Sequence, residues 1–593
     1  MKQLLTGNEA IARGAYEAGC TVAAAYPGTP STEILEALSQ YKEIYCEWSV
    51  NEKVALEVSG GASFAGSRAF CAMKHVGLNV AADPMFTIAY TGINGGLVIN
   101  TSDEPGMHSS QNEQDNRYYA RHAKLPLVVP SDSAQCRDFM LEAYRISETF
   151  DTAVLFRTTT RVCHSKSLVE LHEPMRVPQR AYTKDLKKNL MTPGNSRPRH
   201  VDVEARLVKL AEYAESSPLN FIEEDGNRIG VISTGIAYQY AREVFSDRAD
   251  YFFIGFSFPL PMKAVRKFCE AHETILVIEE NEPFIEDEIR KAGIACLGKD
   301  LLPACGELSP KIIADACSHL PEASTYAPSV HSDASLPPRP PALCPGCPHR
   351  GIFHVLSKQK NIVASTDIGC YTLGAFPPFS VGDFFFCMGS SITAGIGFKR
   401  SDMSCGTETR GVFAIIGDST FFHSGMTGIA DAVYSRTPVV TVILDNRITA
   451  MTGHQHNPGT GMTLMGEQAH EIDLAELVRA LGVREDHIRK VNPNNLKACS
   501  EAVNDALIAQ EPFVIIARAP CALLPQVRKR AESKWFQVDA QACTGCRACI
   551  RIGCPAITFR DSAAVIEPDI CAACGVCFQV CTFKAISMGG NKT

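Results

Sequence analysis

Two apolar runs in the second half of the chain end abruptly at polar residues. The first run, residues 412–416, leads into Gly417-Asp418-Ser419, and the second, residues 439–444, leads into Asp445-Asn446. Between them, apolar residues recur at the spacing of an amphipathic helix. The pattern predicts a strand–helix–strand unit of a parallel sheet. Its polar residues then lie at the carboxyl ends of the strands, where ligands bind in such sheets.

The polar residues at these strand ends suit a magnesium ion. Mg²⁺ prefers oxygen ligands and is usually held by one or two side chains together with waters and phosphate oxygens. Asp418 offers a carboxylate, Asn446 an amide oxygen and Ile448 a backbone carbonyl. Gly417 permits a close approach to the backbone. The alternative is a plain buried unit with an exposed aspartate and no ligand.

Short apolar runs alternate with helix-like segments along most of the remaining chain, which predicts a multidomain α/β fold. We expect parallel sheets with helices on both faces. Polar and basic residues over 184–200 predict a linker, and a Pro- and Ser-rich stretch predicts a second one. The predicted division is a first domain over 1–190, a second over 191–320, a linker over 321–341, a third domain over 342–525 and a tail over 533–593.

Composition narrows the class of protein. The chain has 593 residues, 45% of them hydrophobic, and a net charge of −8, which gives no case for nucleic-acid binding. We expect no secretory signal and no membrane span, because neither an apolar leader nor a long apolar run is present. Eight of the 24 cysteines lie between Cys543 and Cys581. Such a cluster favours metal centres and a cytoplasmic location over disulfides.

The tail cysteines form two runs, Cys543-x₂-Cys546-x₂-Cys549-x₄-Cys554 and Cys571-x₂-Cys574-x₂-Cys577-x₃-Cys581. This spacing is typical of two-cluster bacterial ferredoxins, in which the fourth ligand of each cluster comes from the other run. We therefore predict one [4Fe-4S] cluster on Cys543, Cys546, Cys549 and Cys581, and a second on Cys554, Cys571, Cys574 and Cys577. A structural zinc site is the alternative.

Three features of the first domain are candidates for a site. Glu52 begins a predicted helix directly after a strand, although acidic residues also favour helix starts through the helix dipole. Two polar stretches, 73–79 and 107–115, follow strand-like runs and are predicted as loops that face a substrate or simply face solvent. Thr29 lies in the turn Tyr26-Pro27-Gly28-Thr29-Pro30.

Gly417-Asp418 followed by Asn446 resembles the thiamine diphosphate (ThDP) motif of ThDP-dependent enzymes. Ser419 and Asp445 depart from it, at positions that are not expected to hold the metal. The resemblance implies that Thr452 and Gly453 help to hold the diphosphate and that Glu52 bonds N1′ of the aminopyrimidine. Thr29 lies in a segment similar to one that contacts the keto acid in pyruvate:ferredoxin oxidoreductases.

Over nearly its full length the chain resembles the alpha subunits of indolepyruvate:ferredoxin oxidoreductases. The motifs that carry this likeness are residues 344–350, residues 367–371, the ThDP motif and the tail. The resemblance implies oxidative decarboxylation of arylpyruvates with coenzyme A, reduction of ferredoxin, a smaller beta subunit and an alpha–alpha dimer within a heterotetramer. Pyruvate and 2-oxoglutarate relatives carry a further cluster. Cys344, Cys347, Cys370 and Cys521 have comparable spacing and either hold a third cluster or are buried free thiols.

Three alternative functions fit the same motifs. A pyruvate or 2-oxoglutarate ferredoxin oxidoreductase shares the chemistry. A non-oxidative ThDP decarboxylase would release an aldehyde without reducing ferredoxin. A non-catalytic electron-transfer subunit would have kept the fold and lost the cofactor.

Overall fold

The computed structural model describes residues 1–324, 340–406, 410–531 and 534–589. The chain divides into two compact units, Met1–Ala334 and Ser335–Thr593. Most of the linker predicted over 321–341 lies outside the described residues, as do the last four residues of the predicted tail domain. Within the described residues, no helix is long and apolar enough to cross a membrane.

The first unit contains a seven-stranded sheet, and six of its strands are parallel. In spatial order the strands are Phe256–Phe258, Leu127–Val128, Val154–Thr159, Leu97–Asp103, Ala69–Lys74, Val22–Ala25 and Tyr45–Trp48. Only Phe256–Phe258 runs antiparallel to its neighbour. This strand comes from the stretch predicted as the second domain, so the two predicted domains share one sheet. The prediction of parallel α/β architecture is confirmed.

A second sheet in this unit has four strands, in the order Thr274–Ile278, Ile229–Ser233, Asp250–Ile254 and Asn220–Glu223, the last antiparallel. A separate antiparallel pair joins Lys2–Thr6 to Lys166–Glu170. The helices are Gly7–Glu17, Thr32–Leu38, Glu52–Phe64, His75–Val80, Ala82–Thr91, Arg117–Ala123, Ser133–Phe150, Thr160–His164, Leu186–Asn189, Pro193–Ala214, Ile236–Phe245, Met262–Glu270, Phe284–Lys291 and Pro310–Ala316.

The linker predicted over 184–200 is wrong, because this stretch folds into the helix Leu186–Asn189 and the first turns of Pro193–Ala214. Its polar composition suggested solvated coil, but distant partners hold it in place. Lys188 Nζ donates to Asp151 at 2.7 Å, and Arg199 Nε donates to the carbonyl of Tyr90 at 2.8 Å. Pro193, at the helix start, loses no intrahelical hydrogen bond there.

The second unit is built on a five-stranded, fully parallel sheet. Its strands, in spatial order, are Ile362–Ser365, Gly411–Gly417, Val440–Asp445, Phe513–Arg518 and Ile488–Val491. Two apolar cores form, one on each face of the sheet. The helices are His349–Leu356, Ser391–Cys405, Asp418–Thr420 continuing through Phe421–Gly425 into Met426–Tyr434, Leu474–Ala480, Leu496–Ile508 and Pro525–Ala531.

The tail folds around a small core of its own. Phe536–Val538 pairs antiparallel with Ile586–Met588, and Ile557–Arg560 pairs antiparallel with Ala563–Ile566. The short helix Val576–Val580 follows the second run of cysteines. Few apolar side chains are buried here, and several cysteines pack among them.

Candidate functional site

The predicted polar strand ends lie side by side in the second unit. Asp418 directly follows the strand Gly411–Gly417, and Asp445 ends the neighbouring parallel strand, Val440–Asp445. Asn446 comes next in the chain. The register that pairs Gly417 with Leu444 therefore brings both carboxylates and the amide to one edge of the sheet.

Asp418 is a buried carboxylate, 4% exposed. It accepts a hydrogen bond from Asn457 Nδ2 at 3.3 Å, and the backbone N–H groups of residues 418 and 419 also donate to it. Among the described residues it forms no ion pair. Burial, together with the nearby charge of Asp445, raises the pKa of Asp418 to about 7. A divalent cation would supply the missing positive charge, so the site fits a metal ion.

The other predicted metal ligands adjoin Asp418 in an ordered turn. Asn446 Oδ1 accepts a hydrogen bond from the backbone N–H of Ile448 at 3.1 Å. Both residues are buried. This bond fixes the turn in which the amide oxygen of Asn446 and the carbonyl of Ile448 lie, and both are oxygen donors of the kind that Mg²⁺ accepts.

Neighbouring side chains explain why residue 417 is a glycine and how Asp445 can stand where the motif has asparagine. A Cβ on Gly417 would lie 2.6 Å from Cε1 of Tyr371, so the glycine makes room for that ring. Asp445, where the motif has asparagine, accepts a charge-assisted hydrogen bond from Arg518 Nε at 2.5 Å. The carboxylate of Asp445 is thus paired with Arg518, at the end of a neighbouring strand, and not with a ligand.

Thr452 and Gly453 lie in the loop that follows these ligands. Thr452 Oγ1 donates to Gln455 Oε1 at 2.6 Å, and Gln455 Nε2 donates back to the carbonyl of Thr452 at 2.9 Å. Gly453 has a φ of +124°, which disfavours other residues. The reciprocal bonds hold this loop in a defined shape.

Two polar residues of this unit were not predicted as site residues. Asn457 contacts Asp418, as described above, but no sequence motif marks it. Asp367 is fully buried and accepts backbone hydrogen bonds from Gly389 at 2.7 Å and Ser391 at 3.1 Å. Burial outweighs these bonds and raises the pKa of Asp367 to about 6. An acid that closely follows the end of a strand, here Ile362–Ser365, is the signal that could have identified it.

In the first unit, Glu52 is buried at the start of the helix Glu52–Phe64. Asn51 caps that helix, with its side chain accepting from Val54 N at 2.9 Å. Gly77 lies against the acid, since a Cβ there would be 2.7 Å from Cγ of Glu52. The prediction of a loop over 73–79 is wrong, because the strand ends at Lys74 and the helix His75–Val80 begins at once.

Thr29 and Lys74 lie near each other at the strand-end edge of the seven-stranded sheet. Thr29 is half-buried, and the adjacent Gly28 approaches the side chain of Lys74, since a Cβ on the glycine would lie 3.1 Å from Cγ of the lysine. Lys74 Nζ is 3.9 Å from Glu104 Oε2. Burial lowers the pKa of Lys74, against the opposing effects of Glu104 and Glu52. Glu104 is already engaged by Ser109, at 2.9 Å from its backbone N–H.

All 24 cysteines lie among the described residues, and none of them forms a disulfide there. The eight in the tail line two separate cavities. One is lined by Cys543, Cys546, Cys549 and Cys581. The other is lined by Cys554, Cys571, Cys574 and Cys577. In the described parts of the chain, no three His, Cys, Asp or Glu side chains converge to hold a single metal ion.

The four cysteines of the third group are also neighbours. Burial and the Cys370 and Cys344 thiols raise the pKa of Cys347 to about 12, and burial with Cys521 and Cys344 raises that of Cys370 to about 11. The backbone N–H of Cys521 donates to the carbonyl of Asn446 at 2.9 Å. The group therefore adjoins the turn that carries the predicted metal ligands.

Two family models match the chain. Residues 13–211 match "Pyruvate flavodoxin/ferredoxin oxidoreductase, thiamine diP-bdg", and residues 367–517 match "Thiamine pyrophosphate enzyme, C-terminal TPP binding domain". Together with the parallel sheets and their polar edges, these matches define the class. The protein is a ThDP-binding enzyme of the 2-oxoacid:ferredoxin oxidoreductase type.

The chain belongs to the family of indolepyruvate oxidoreductase subunits IorA. It is 41% identical to that subunit from Methanothermobacter thermautotrophicus, over 100% of this chain and 98% of the relative. It is 38% identical to the subunit from Pyrococcus horikoshii, over 98% of this chain and 96% of the relative. The 2-oxoglutarate synthase subunit KorA of Archaeoglobus fulgidus is 26% identical and matches 51% of this chain and 96% of the relative.

Proposed function

We propose that this chain oxidatively decarboxylates arylpyruvates of the indolepyruvate type with coenzyme A, forming aryl-acetyl-CoA and CO₂ and reducing ferredoxin. The observation that carries this proposal is the sorting of eight tail cysteines into two cavities within a chain of a ThDP-dependent family. The relatives that match over the full length are named for indolepyruvate, whereas KorA matches only half of the chain. The preference for arylpyruvates rests on those names.

The residues at the sheet edge of the second unit would hold Mg²⁺ and the diphosphate. Asp418, Asn446 and the carbonyl of Ile448 would supply three oxygen ligands. Gly417, Ser419, Thr452 and Gly453 would border the diphosphate. When bound, ThDP supplies an acyl-anion equivalent, the chemistry that cleavage next to a ketone needs.

Two residues of the first unit are assigned to the reaction itself. The carboxyl group of Glu52 would share its proton with N1′ of the aminopyrimidine and so keep that nitrogen protonated. Thr29, beside Gly28 and Lys74, would orient the keto acid. The buried, close-packed setting of Glu52 against Gly77 suits a group whose position must be fixed.

The two tail cavities would each hold a [4Fe-4S] cluster on the four cysteines that line it. Cysteines spread around a cavity favour a cluster over a single zinc ion, whose ligands converge on one point. A third cluster on Cys344, Cys347, Cys370 and Cys521 is part of the proposal, since the four thiols are neighbours. One-electron carriers on the same chain favour oxidation over the simple decarboxylation of the alternative function.

The proposed partners are a smaller beta subunit, ferredoxin, coenzyme A and the 2-oxo acid. We further propose an alpha–alpha dimer within a heterotetramer and a cytoplasmic location. The reducing environment of the cytoplasm suits cysteines that form no disulfide among the described residues.

The test is turnover by the purified complex of both subunits under anaerobic conditions. Indolepyruvate, phenylpyruvate, pyruvate and 2-oxoglutarate are compared, with ferredoxin or a viologen as acceptor and with or without coenzyme A. We expect arylpyruvates to give the highest kcat/KM and acyl-CoA formation to require coenzyme A. Pyruvate or 2-oxoglutarate as the best substrate would reject the proposed specificity, and aldehyde release without acceptor reduction would favour the decarboxylase. Failure to bind ThDP and Mg²⁺ in a calorimeter would favour a non-catalytic subunit.

A further inference from the structure

Arg350 is a fully buried arginine whose partners are uncharged. It lies at the start of the helix His349–Leu356 and is 1% exposed. Its Nη1 donates to the carbonyl of Ile552 at 2.7 Å. Its Nη2 donates to the carbonyls of Leu343 at 2.7 Å and Cys344 at 3.0 Å.

The charge of this guanidinium is not balanced by an acid of the described residues. In the portion of the chain that the structure describes, Arg350 forms no ion pair with a carboxylate, and its buried Nε has no hydrogen-bond partner. A guanidinium keeps its charge in proteins. Burying a charge without a counter-charge is strongly unfavourable, so the fold implies an anion beside Arg350.

The place for that anion is the cavity that Arg350 itself lines. The same cavity is lined by Cys554, Cys571, Cys574 and Cys577. A [4Fe-4S] cluster held by four thiolates is anionic, and it gains one further negative charge on reduction. Such a group would balance the guanidinium and could accept the hydrogen bond that Nε lacks.

The other tail cavity has an arginine of different character. Arg547 lines the cavity of Cys543, Cys546, Cys549 and Cys581, but its side chain is exposed and lies over the ring of Phe559, 4.4 Å from the centroid. Water screens an exposed charge far more than a buried one. The two cavities therefore differ in how strongly a positive charge acts on their contents.

We infer that Arg350 is the counter-charge of the cluster on Cys554, Cys571, Cys574 and Cys577 and raises the reduction potential of that cluster. The inference rests on the proposed iron–sulfur function. A fixed positive charge stabilises the reduced, more negative form of the cluster, and a hydrogen bond from Nε would act in the same direction. Arg350 is thus a positioning residue that makes this cluster easier to reduce.

The same residue connects this cavity to the third cysteine group. Arg350 holds the carbonyl of Cys344, and Gly346 of the same loop lines the cavity. A Cβ on Gly346 would lie 2.3 Å from Cβ of Ala572, so the loop packs tightly against the second cysteine run. If both groups of cysteines hold clusters, an electron could pass from the side of Cys344 and Cys347 to this cavity, where Arg350 would favour its arrival.

The test compares Arg350→Gln, Arg350→Lys and Arg547→Gln in the purified two-subunit complex. Iron and sulfide are quantified first, and the complex is then titrated anaerobically while the reduced clusters are followed by electron paramagnetic resonance. In Arg350→Gln we expect the reduced-to-oxidised ratio of one cluster to fall at least about tenfold at a fixed solution potential. That change corresponds to a fall of about 59 mV in the reduction potential of a one-electron couple. Arg350→Lys keeps most of the potential, and Arg547→Gln causes a smaller shift.

The remaining outcomes of this experiment each test a separate part of the inference. Unchanged potentials in an Arg350→Gln complex with full iron content overturn the inference. Loss of one cluster in Arg350→Gln but not in Arg350→Lys supports it, because the lysine keeps the positive charge and the glutamine removes it. Loss of that cluster in both variants overturns it, because shape and not charge would then matter. A wild-type complex without iron would refute the proposed clusters themselves.

Discussion

Gly77 lies directly against Glu52: a Cβ at residue 77 would be 2.7 Å from both Cγ and Oε1 of the acid. The glycine therefore leaves the space in which the carboxylate lies. Because both residues are buried, a larger side chain at 77 must displace either Glu52 or the helix His75–Val80.

We expect Gly77→Ala to lower kcat by about 100-fold, because a shift of about 1 Å in a catalytic group can cost that much. The matched control is Gly61→Ala, in the helix that begins at Glu52, where an added Cβ would meet nothing within 4 Å. That control is expected to keep its activity and to gain about 0.5–1 kcal/mol in the free energy of unfolding. An unchanged kcat in Gly77→Ala would argue against a catalytic Glu52.

We predict that the carboxyl group of Asp418 releases a proton when the metal binds. Burial and Asp445 raise the pKa of its carboxyl to about 7, and the carboxylate must be ionised to bind Mg²⁺. Affinity for Mg²⁺ with ThDP should therefore rise with pH up to about 7 and level off above it. Because the folded pKa is raised, the metal-free protein loses stability as pH increases through this range.

Calorimetric titration at pH 6 and pH 8, in buffers of different ionisation enthalpy, measures this release. We expect about one proton per metal at pH 6 and little at pH 8. Asp418→Asn should abolish the pH dependence and weaken binding. Identical proton counts at both pH values would contradict the assignment.

Asp445→Asn should leave the metal ligands intact and shift this pH dependence. Removing the charge of Asp445 removes one cause of the raised pKa of Asp418, so the midpoint should move to lower pH. Arg518 would lose the charged partner at 445, although the amide oxygen of the asparagine can still accept from it, and would keep its pair with Asp473, at 3.5 Å. Titrations with Mg²⁺ across pH check the shift, and a variant that cannot bind the metal would make Asp445 a ligand after all.

Lys74→Met should raise KM for an arylpyruvate by tenfold or more. Lys74 Nζ is a half-buried cation at the edge that carries Thr29 and Glu52, and the carboxylate of a 2-oxo acid is a natural partner for it. Lys74→Arg should restore part of the loss, and Lys42→Met, at an exposed lysine, should have no effect. The affinity of Lys74→Met for ThDP should match that of the wild type. A KM for the arylpyruvate equal to the wild-type value would exclude this role.

The sequence predicted the elements that are defined by local pattern. Asp418 and Asn446 each follow a strand that begins and ends within one residue of its predicted apolar run. The prediction is accurate because buried parallel strands are continuously apolar. The cysteine spacing predicted which four thiols share each tail cavity, since in two-cluster ferredoxins the fourth ligand of each cluster comes from the other run.

Features that depend on distant partners could not be predicted. The helix Pro193–Ala214 follows a polar stretch that is fixed by Asp151 and Tyr90. Likewise, nothing near Gly417 in the chain indicates that the ring of Tyr371 will fill the space beside it. Only the folded structure brings these residues together.

The most direct test of the account is a single turnover without an external acceptor. The complex, loaded with ThDP, Mg²⁺ and coenzyme A, is mixed anaerobically with an arylpyruvate while its iron–sulfur absorbance is followed. We predict bleaching that is at least as fast as steady-state turnover and that disappears when ThDP is omitted. Release of CO₂ with no bleaching would contradict the claim that this chain couples carbon–carbon cleavage to its own iron–sulfur clusters.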